Sequence, residues 1–350
     1  MSLASINHTY RRYRTLQTHR ITALPVVILM PHSACNCQCV MCDIWKGNHH
    51  LKQLTEADIE GLLASLRDLG TQQVLMSGGE ALLNKNFFRF CEILEREGIR
   101  ITLLSTGLTL ARHAEMLTLH VADVIVSLDG DETLHDRIRN IPGAFGKLRE
   151  GVRAIREIDP AFPIAGRTVI HRLNFRRWPD IIDAARAIGL DQISFLPADV
   201  TSEAFNRANT WDEPRQQEIL LSREEIPEML AVIEEIIQNY APYFENGFVA
   251  ESPDKLRKIG QYYMASHGLS SYPYKRCNAP WVSVVVEADG TVRPCFFMPG
   301  MGNTRDGSLV DILNSPEAIN WRRNLDMTAN ATCVKCVCYI HLSPTTNLKK

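Results

Sequence analysis

Nine of the ten cysteines in this 350-residue sequence fall in two groups, and their spacing is its most specific chemical signal. The first group reads SACNCQCVMCDIW, in which Cys35, Cys39 and Cys42 are spaced C-x3-C-x2-C. Three thiolates on one short loop can hold three irons of a four-iron cubane and leave the fourth without a protein ligand. An open metal is available for chemistry, whereas a site closed by four cysteines stores electrons or structure. Zinc is the alternative for this loop. Structural zinc prefers C-x2-C pairs, and Cys39–Cys42 is such a pair, with Cys35 or Cys37 to join it. The second group places Cys277 and Cys295 around a short apolar stretch, followed by Cys333-x2-Cys336 and Cys338. Two thiolates at a hairpin base plus a distant C-x2-C make a complete four-thiolate site, either a zinc ribbon or a closed [4Fe–4S] cluster. Cys91 stands alone on an expected helix and reads as a buried structural thiol.

The elements that must position these residues alternate between apolar runs and amphipathic patterns. Strands are expected at Pro25–Met30, Gln73–Met76, Ile101–Ser105, Val124–Leu128, Ile164–Ile170 and Gln192–Leu196, with helices between them. Thr55 opens the first of these helices, with Asp58 as a capping partner and Ile59, Leu62, Leu63 and Leu66 on one face. Six β/α units imply a parallel sheet covered by helices, an α/β fold that carries its chemistry at the carboxyl ends of the strands. Polar residues sit at those ends. The second strand closes with Gly78-Gly79-Glu80, the third with Ser105-Thr106-Gly107, and the fourth with Ser127 and Asp129, followed by His135, Asp136 and Arg139. Asn174 lies past the fifth. Residues 201–221 are polar and irregular, 223–240 form a long amphipathic helix, and 241–275 are a loosely patterned connector. VSVVVEADGTVRPC then reads as a hairpin around Asp289-Gly290. The expected organisation is an N-terminal extension over 1–24, a barrel-like unit over 25–240, and a connector with a cysteine-rich unit over 241–350.

The C-x3-C-x2-C loop after the first strand of a β/α series is similar to the signature of the radical S-adenosylmethionine (SAM) superfamily. The resemblance implies a partial (β/α)6 TIM-like barrel. It implies a [4Fe–4S] cluster on Cys35, Cys39 and Cys42, whose open iron is chelated by the amino and carboxylate groups of SAM. Reductive cleavage would give a 5′-deoxyadenosyl radical that abstracts hydrogen from a substrate C–H bond. Gly78, Gly79 and Glu80 resemble the family's SAM amino-group motif, and Ser105-Thr106 its short polar motif after the third strand. In the branch with extra clusters, Ser127 would contact the SAM ribose or methionine end, Arg139 its carboxylate, and Asn174 the ribose. Cys37 would be a non-ligand, and Met41 stands where an aromatic residue is frequent.

The second cysteine group resembles the twitch subdomain, the shortened form of the SPASM extension. It implies a small Cys-rich β-hairpin/helix domain with one auxiliary [4Fe–4S] cluster on Cys277, Cys295, Cys333 and Cys336, serving electron transfer. Cys338 is then a spare thiol, an alternative ligand, or a thiol facing the substrate. Asp199, Arg207 and His341 are further candidates for the substrate pocket. The implied partners are a reductant such as flavodoxin or ferredoxin and a substrate. Only about 24 residues precede the first strand, too few for a recognition domain, which favours a small molecule over the peptide of a SPASM-type maturase.

Charge and composition exclude other classes. Lys and Arg number 38 against 40 Asp and Glu, for a formal net charge of −2, so no global field draws nucleic acid or acidic lipid. The basic stretch from Arg11 to Arg20 reads as an N-terminal helix. Residues 1–10 lack the apolar core of a signal peptide, and the run 23–30 is too short to span a bilayer. A cytoplasmic protein is therefore expected, in which thiols stay reduced and clustered cysteines point to metal.

Overall fold

The structure, a computed structural model, describes residues 3–204, 207, 209–346 and 348. Nine strands form one sheet: β1 (Val26–Leu29), β2 (Gln73–Met76), β3 (Arg100–Ser105), β4 (Asp123–Ser127), β5 (Ile164–Ile170), β6 (Gln192–Pro197), β7 (Ser283–Val286), β8 (Thr291–Arg293) and β9 (Gly302–Asn303). Their order is β6-β5-β4-β3-β2-β1-β7-β8-β9. The first six strands are parallel and run in sequence order, the layout of a partial barrel built from six β/α units.

Burial alternates along the strands, and this explains why the barrel has both a core and a hollow. In β4 and β5, Val124, Val126, Ile164 and Ile170 are fully buried beneath the helices, while the intervening Ile125, Ser127, Arg167 and Val169 are less buried and line a cavity. The covering helices answer with matching faces. Helix Glu56–Leu69 buries Ile59, Leu62 and Leu66, and helix Ala144–Ile158 buries Leu148, Val152 and Ile155. The expected cap is present: Thr55 Oγ1 accepts from the Asp58 amide at 3.2 Å, and Asp58 Oδ2 accepts from the Thr55 amide at 2.8 Å.

Three features differ from the sequence-based expectation. The stretch 241–275 contains a 14-residue helix, Pro253–Ser266, N-capped by Ser252, which buries Leu256, Ile259, Tyr262 and Tyr263. The irregular stretch 201–221 includes helix Glu213–Ile219, capped by Asp212. The hairpin strand β7 is not an isolated appendage. It pairs in parallel with β1, from Val26↔Ser283 to Leu29↔Val286, and all four of its residues are buried. Two ion pairs tie the C-terminal part to the barrel, Lys52–Asp289 at 2.7 Å and Arg305–Asp58 at 2.8 Å. Helix Leu3–Thr18 lies against the barrel through His8 Nε2 and the Gly70 carbonyl, 3.0 Å apart. Among the described residues, no helix is long and apolar enough to cross a membrane.

Candidate active site: two cysteine groups on one cavity

The loop carrying Cys35, Cys39 and Cys42 leaves the carboxyl end of β1 and is fixed at several points. Asn48 brackets Cys35, accepting from its amide at 3.0 Å and donating to its carbonyl at 2.9 Å. The Gln38 and Val40 amides donate to the carbonyls of Arg139 and Ile138 at 3.1 and 3.0 Å, so the loop docks on the last turn of helix Glu132–Arg139. Trp211 Nε1 donates to Asp43 Oδ2 at 2.7 Å, and the guanidiniums of Arg207 and Arg215 stack on the Trp211 ring at 4.0 and 4.6 Å from its centre. Arg207 itself pairs with buried Asp199 at 2.8 Å.

Glu80 is fully buried and does not face the cavity. Its carboxylate accepts from Ser105 Oγ at 3.0 Å and from the Thr106 amide and hydroxyl at 2.8 and 2.7 Å, while Thr106 Oγ1 also lies 2.9 Å from Asn36 Oδ1. Glu80 thereby joins the ends of β2 and β3 to the cysteine loop. Burial pushes its carboxyl above the ordinary range, against the hydrogen bonds from Thr106, Leu82 and Ser105. The adjacent Gly79 permits a backbone contact that no side chain allows: an added Cβ would lie 2.1 Å from the Ala34 carbonyl oxygen. Gly79→Ala is expected to push the start of the loop away, at a cost of about 1–3 kcal/mol, with less iron retained per chain. Gly61→Ala on the helix surface, with open space around it, is expected to leave iron content and unfolding temperature unchanged or slightly raised. Thermal unfolding and iron analysis of the two variants check this.

Arg139 is the buried cation of the site. Its Nη2 lies 2.5 Å from Asp129 Oδ2, and its Nη1 donates to Cys39 Sγ at 3.4 Å. Burial pushes Cys35 and Cys42 up to about 12. At Cys39 a hydrogen bond from the Cys37 thiol outweighs burial and, with the charge of Arg139, pulls the thiol down. Cys37 is buried away from the cavity in an apolar cluster with Leu134, Ile138 and Trp211, whereas Met41 lines the cavity. Asn174 is also fully buried behind the wall. It donates to the carbonyls of Asp129 and Val169 and accepts from the His171 amide.

The second cysteine group is assembled from three elements. Cys277 precedes β7, Cys295 follows β8, and Cys333 and Cys336 flank the end of helix Ala331–Lys335, which is capped by Asn330. Asn278 clamps the C-terminal segment beside them, donating to the Leu342 carbonyl at 2.8 Å and accepting from its amide at 2.9 Å. Burial raises Cys295 to about 12 and Cys333 to about 11, and each feels the other thiols of the group. Cys338 is exposed, beside Cys336, whose Sγ lies 3.1 Å from the Cys338 carbonyl.

A cavity of about 850 Å³ connects the two groups. Cys35, Cys39 and Cys42 line it together with Gly78, Gly79, Ser105, Thr106, Ser127 and Arg139, and so do Cys277, Cys295, Cys333, Cys336 and Cys338. Because β7 runs parallel to β1, and Cys277 precedes β7 while Cys35 follows β1, the groups lie toward opposite ends of the shared strands. Of the other candidates, Asp199 lines the cavity and His341 does not. The wall also contains residues absent from the sequence reading, among them Arg167, Glu251, Lys255 and Lys275. A lone arginine at an inward position of IAGRTVI was a legible signal for the first. Nothing in the sequence marked the other three.

The donor chemistry fits iron–sulfur ligation at both ends. All ten cysteines are free thiols, and burial penalises their bare thiolates, a cost that metal coordination removes. Gly78 and Gly79 leave the cavity wall beside the first group without side chains, room that SAM would use.

Comparison with known proteins agrees. The family description "Radical SAM superfamily" matches residues 29–185, and "SPASM: Iron-sulfur cluster-binding domain" matches residues 277–337. A PqqA peptide cyclase from Rhodopseudomonas palustris is 28% identical over 177 residues, which is 49% of this chain and 45% of that protein. An Fe-coproporphyrin III synthase from Methanosarcina barkeri is 24% identical over 258 residues, 71% of this chain and 64% of that protein. The chain thus spans less than two thirds of the length of either relative. Among solved structures, Streptococcus suis SuiB bound to its precursor peptide SuiA superposes with a TM-score of 0.65 at 13% identity, covering 93% of this chain and 73% of SuiB.

Proposed function

We infer that this chain, a member of the radical SAM superfamily with a C-terminal SPASM iron–sulfur domain, is an enzyme that oxidises an unactivated C–H site of its substrate. When bound, the cluster on the Cys35 loop and SAM supply one electron and a 5′-deoxyadenosyl radical that takes a hydrogen atom from the substrate. Loss of a further electron and a proton from the substrate completes a two-electron oxidation, a dehydrogenation or a bond formation. Cys277, Cys295, Cys333 and Cys336 would hold an auxiliary cluster able to accept that electron, and an external one-electron reductant would restore the first cluster. The observation that carries this reading is one cavity lined by both cysteine groups. Within it the chain's own residues hold and enclose. Arg139, paired with Asp129 at 2.5 Å, would hold the carboxylate end of SAM. The apolar wall from Ile28, Leu75 and Ile125 excludes water from the radical.

The cavity must house SAM as well as substrate, and its volume is within the range of small-ligand sites. That supports a small-molecule substrate. A peptide is the second reading, favoured by the likeness to a peptide cyclase and to peptide-bound SuiB. The test is anaerobic reconstitution, with about eight irons expected per chain and 5′-deoxyadenosine formed on reduction with SAM. A colourless, zinc-containing product with no SAM cleavage overturns the reading. Incubation with a deuterated cell extract, separated into small-molecule and peptide fractions, then decides the substrate class. The fraction that transfers deuterium into 5′-deoxyadenosine contains the substrate.

A further inference from the structure

Lys275 occupies an unusual place on the wall of the cavity. It lies two residues before Cys277, and its Nζ donates to the Val334 carbonyl at 2.7 Å, inside the Cys333-x2-Cys336 turn. The ammonium is thus held over the second cysteine group from a different segment of the chain. It lines the same cavity as Cys277, Cys333 and Cys336, with its Nζ 5.9 Å from the centre of the Tyr272 ring. Among the described residues, Lys275 forms no ion pair with a carboxylate. Lys255, also on the wall, is by contrast paired with Glu251 at 3.2 Å. The charge of Lys275 thus sits beside the Cys333-x2-Cys336 turn without a carboxylate to offset it. It is also half-buried, where charge interactions are screened less than on an open surface.

We propose that Lys275 tunes the auxiliary cluster, raising its reduction potential so that it accepts the electron released by the substrate. The proposal rests on the reading that Cys277, Cys295, Cys333 and Cys336 hold a [4Fe–4S] cluster. A cubane bound by four thiolates is negatively charged, and reduction adds one more negative charge. A fixed neighbouring cation favours the reduced state, because net charge and hydrogen bonding are among the factors that set cluster potentials. Lys275 is a positioning residue in this scheme: it acts on the cluster, with no contact to the reacting carbon required.

The test uses the full chain with Cys35, Cys39 and Cys42 replaced by alanine, so that EPR-monitored redox titration reads the auxiliary cluster alone. Lys275→Gln keeps a donor for the Val334 carbonyl and removes the charge. It is expected to lower the reduced-to-oxidised ratio at a fixed potential about tenfold, a shift of about 59 mV to more negative values for a one-electron couple. Lys275→Met should shift at least as far, and Lys275→Arg should keep the parent's potential. An unchanged potential in Lys275→Gln with full iron content overturns the proposal, as does a shift confined to Lys275→Met, which would assign the effect to the hydrogen bond. Loss of the cluster from both neutral variants would make Lys275 a clamp on the turn and also overturns it. A parent protein with no cluster signal refutes a different claim, the auxiliary cluster itself.

Discussion

Replacing Cys35, Cys39 and Cys42 together by alanine is expected to abolish 5′-deoxyadenosine formation and to leave about four of eight irons in the chain. On the proposed function the loss is complete, because this one loop would supply every protein ligand of the open cluster. The loop is held by backbone hydrogen bonds to Ile138 and Arg139 and by Asn48, and none of these can take the place of a sulfur. Cys37 does not compensate, because it is a single thiol that does not line the cavity and cannot replace three. The remaining iron persists because Cys277, Cys295, Cys333 and Cys336 come from separate elements fixed by the hairpin, the Asn330 cap and the Asn278 clamp. Product analysis after reduction with SAM, together with iron counting, decides the matter. A triple variant that still forms 5′-deoxyadenosine places the open cluster elsewhere.

The second large effect is expected at Arg139. Asp129 is fully enclosed, and Arg139 is its counter-charge at 2.5 Å. Burial pushes the Asp129 carboxyl upward, and Arg139 opposes that shift. Arg139→Met leaves the fully enclosed Asp129 carboxyl without its counter-ion, at a cost of about 3–5 kcal/mol. The variant also removes the donor to Cys39 Sγ. Urea unfolding should show a fall in midpoint with little change in slope. Combining Asp129→Leu with Arg139→Met should recover much of the loss, since both charges then disappear together. If Arg139→Met unfolds within about 0.5 kcal/mol of the parent protein, the pair does not support the loop.

The barrel was legible because its strands are short apolar runs with turn residues after them, and its helices have one apolar face. Both signals are local. What escaped notice depended on partners distant in sequence. The run SVVV reads correctly as a hairpin strand, yet its pairing with Val26–Leu29 is a contact across some 250 residues. Its uninterrupted apolar character hinted at cover on both faces. Helix Pro253–Ser266 is hard to read because Lys255, Arg257 and Lys258 interrupt its first half and two tyrosines stand in its second, although Ser252-Pro253 is a good start signal. At the site, residue types identified the cysteines, but the orientation of Glu80 and Asn174 was set by packing. Both sit behind the cavity wall and organise the loops that form it.

The parallel pairing of β1 with β7 acts as a ruler. One cysteine group departs from the far end of β1, and the other flanks the near end of β7, so about 13 Å of four-residue strand separates the levels from which the two groups spring. No hinge interrupts that span, because each strand is hydrogen-bonded to the other. On the proposed function, an electron passing between the two groups would cross an interval set by these paired strands and not by a hinge. Cutting the chain before β7 would also not release a self-contained barrel. It would uncover the Val26–Leu29 backbone as a raw sheet edge, open to pairing with another chain.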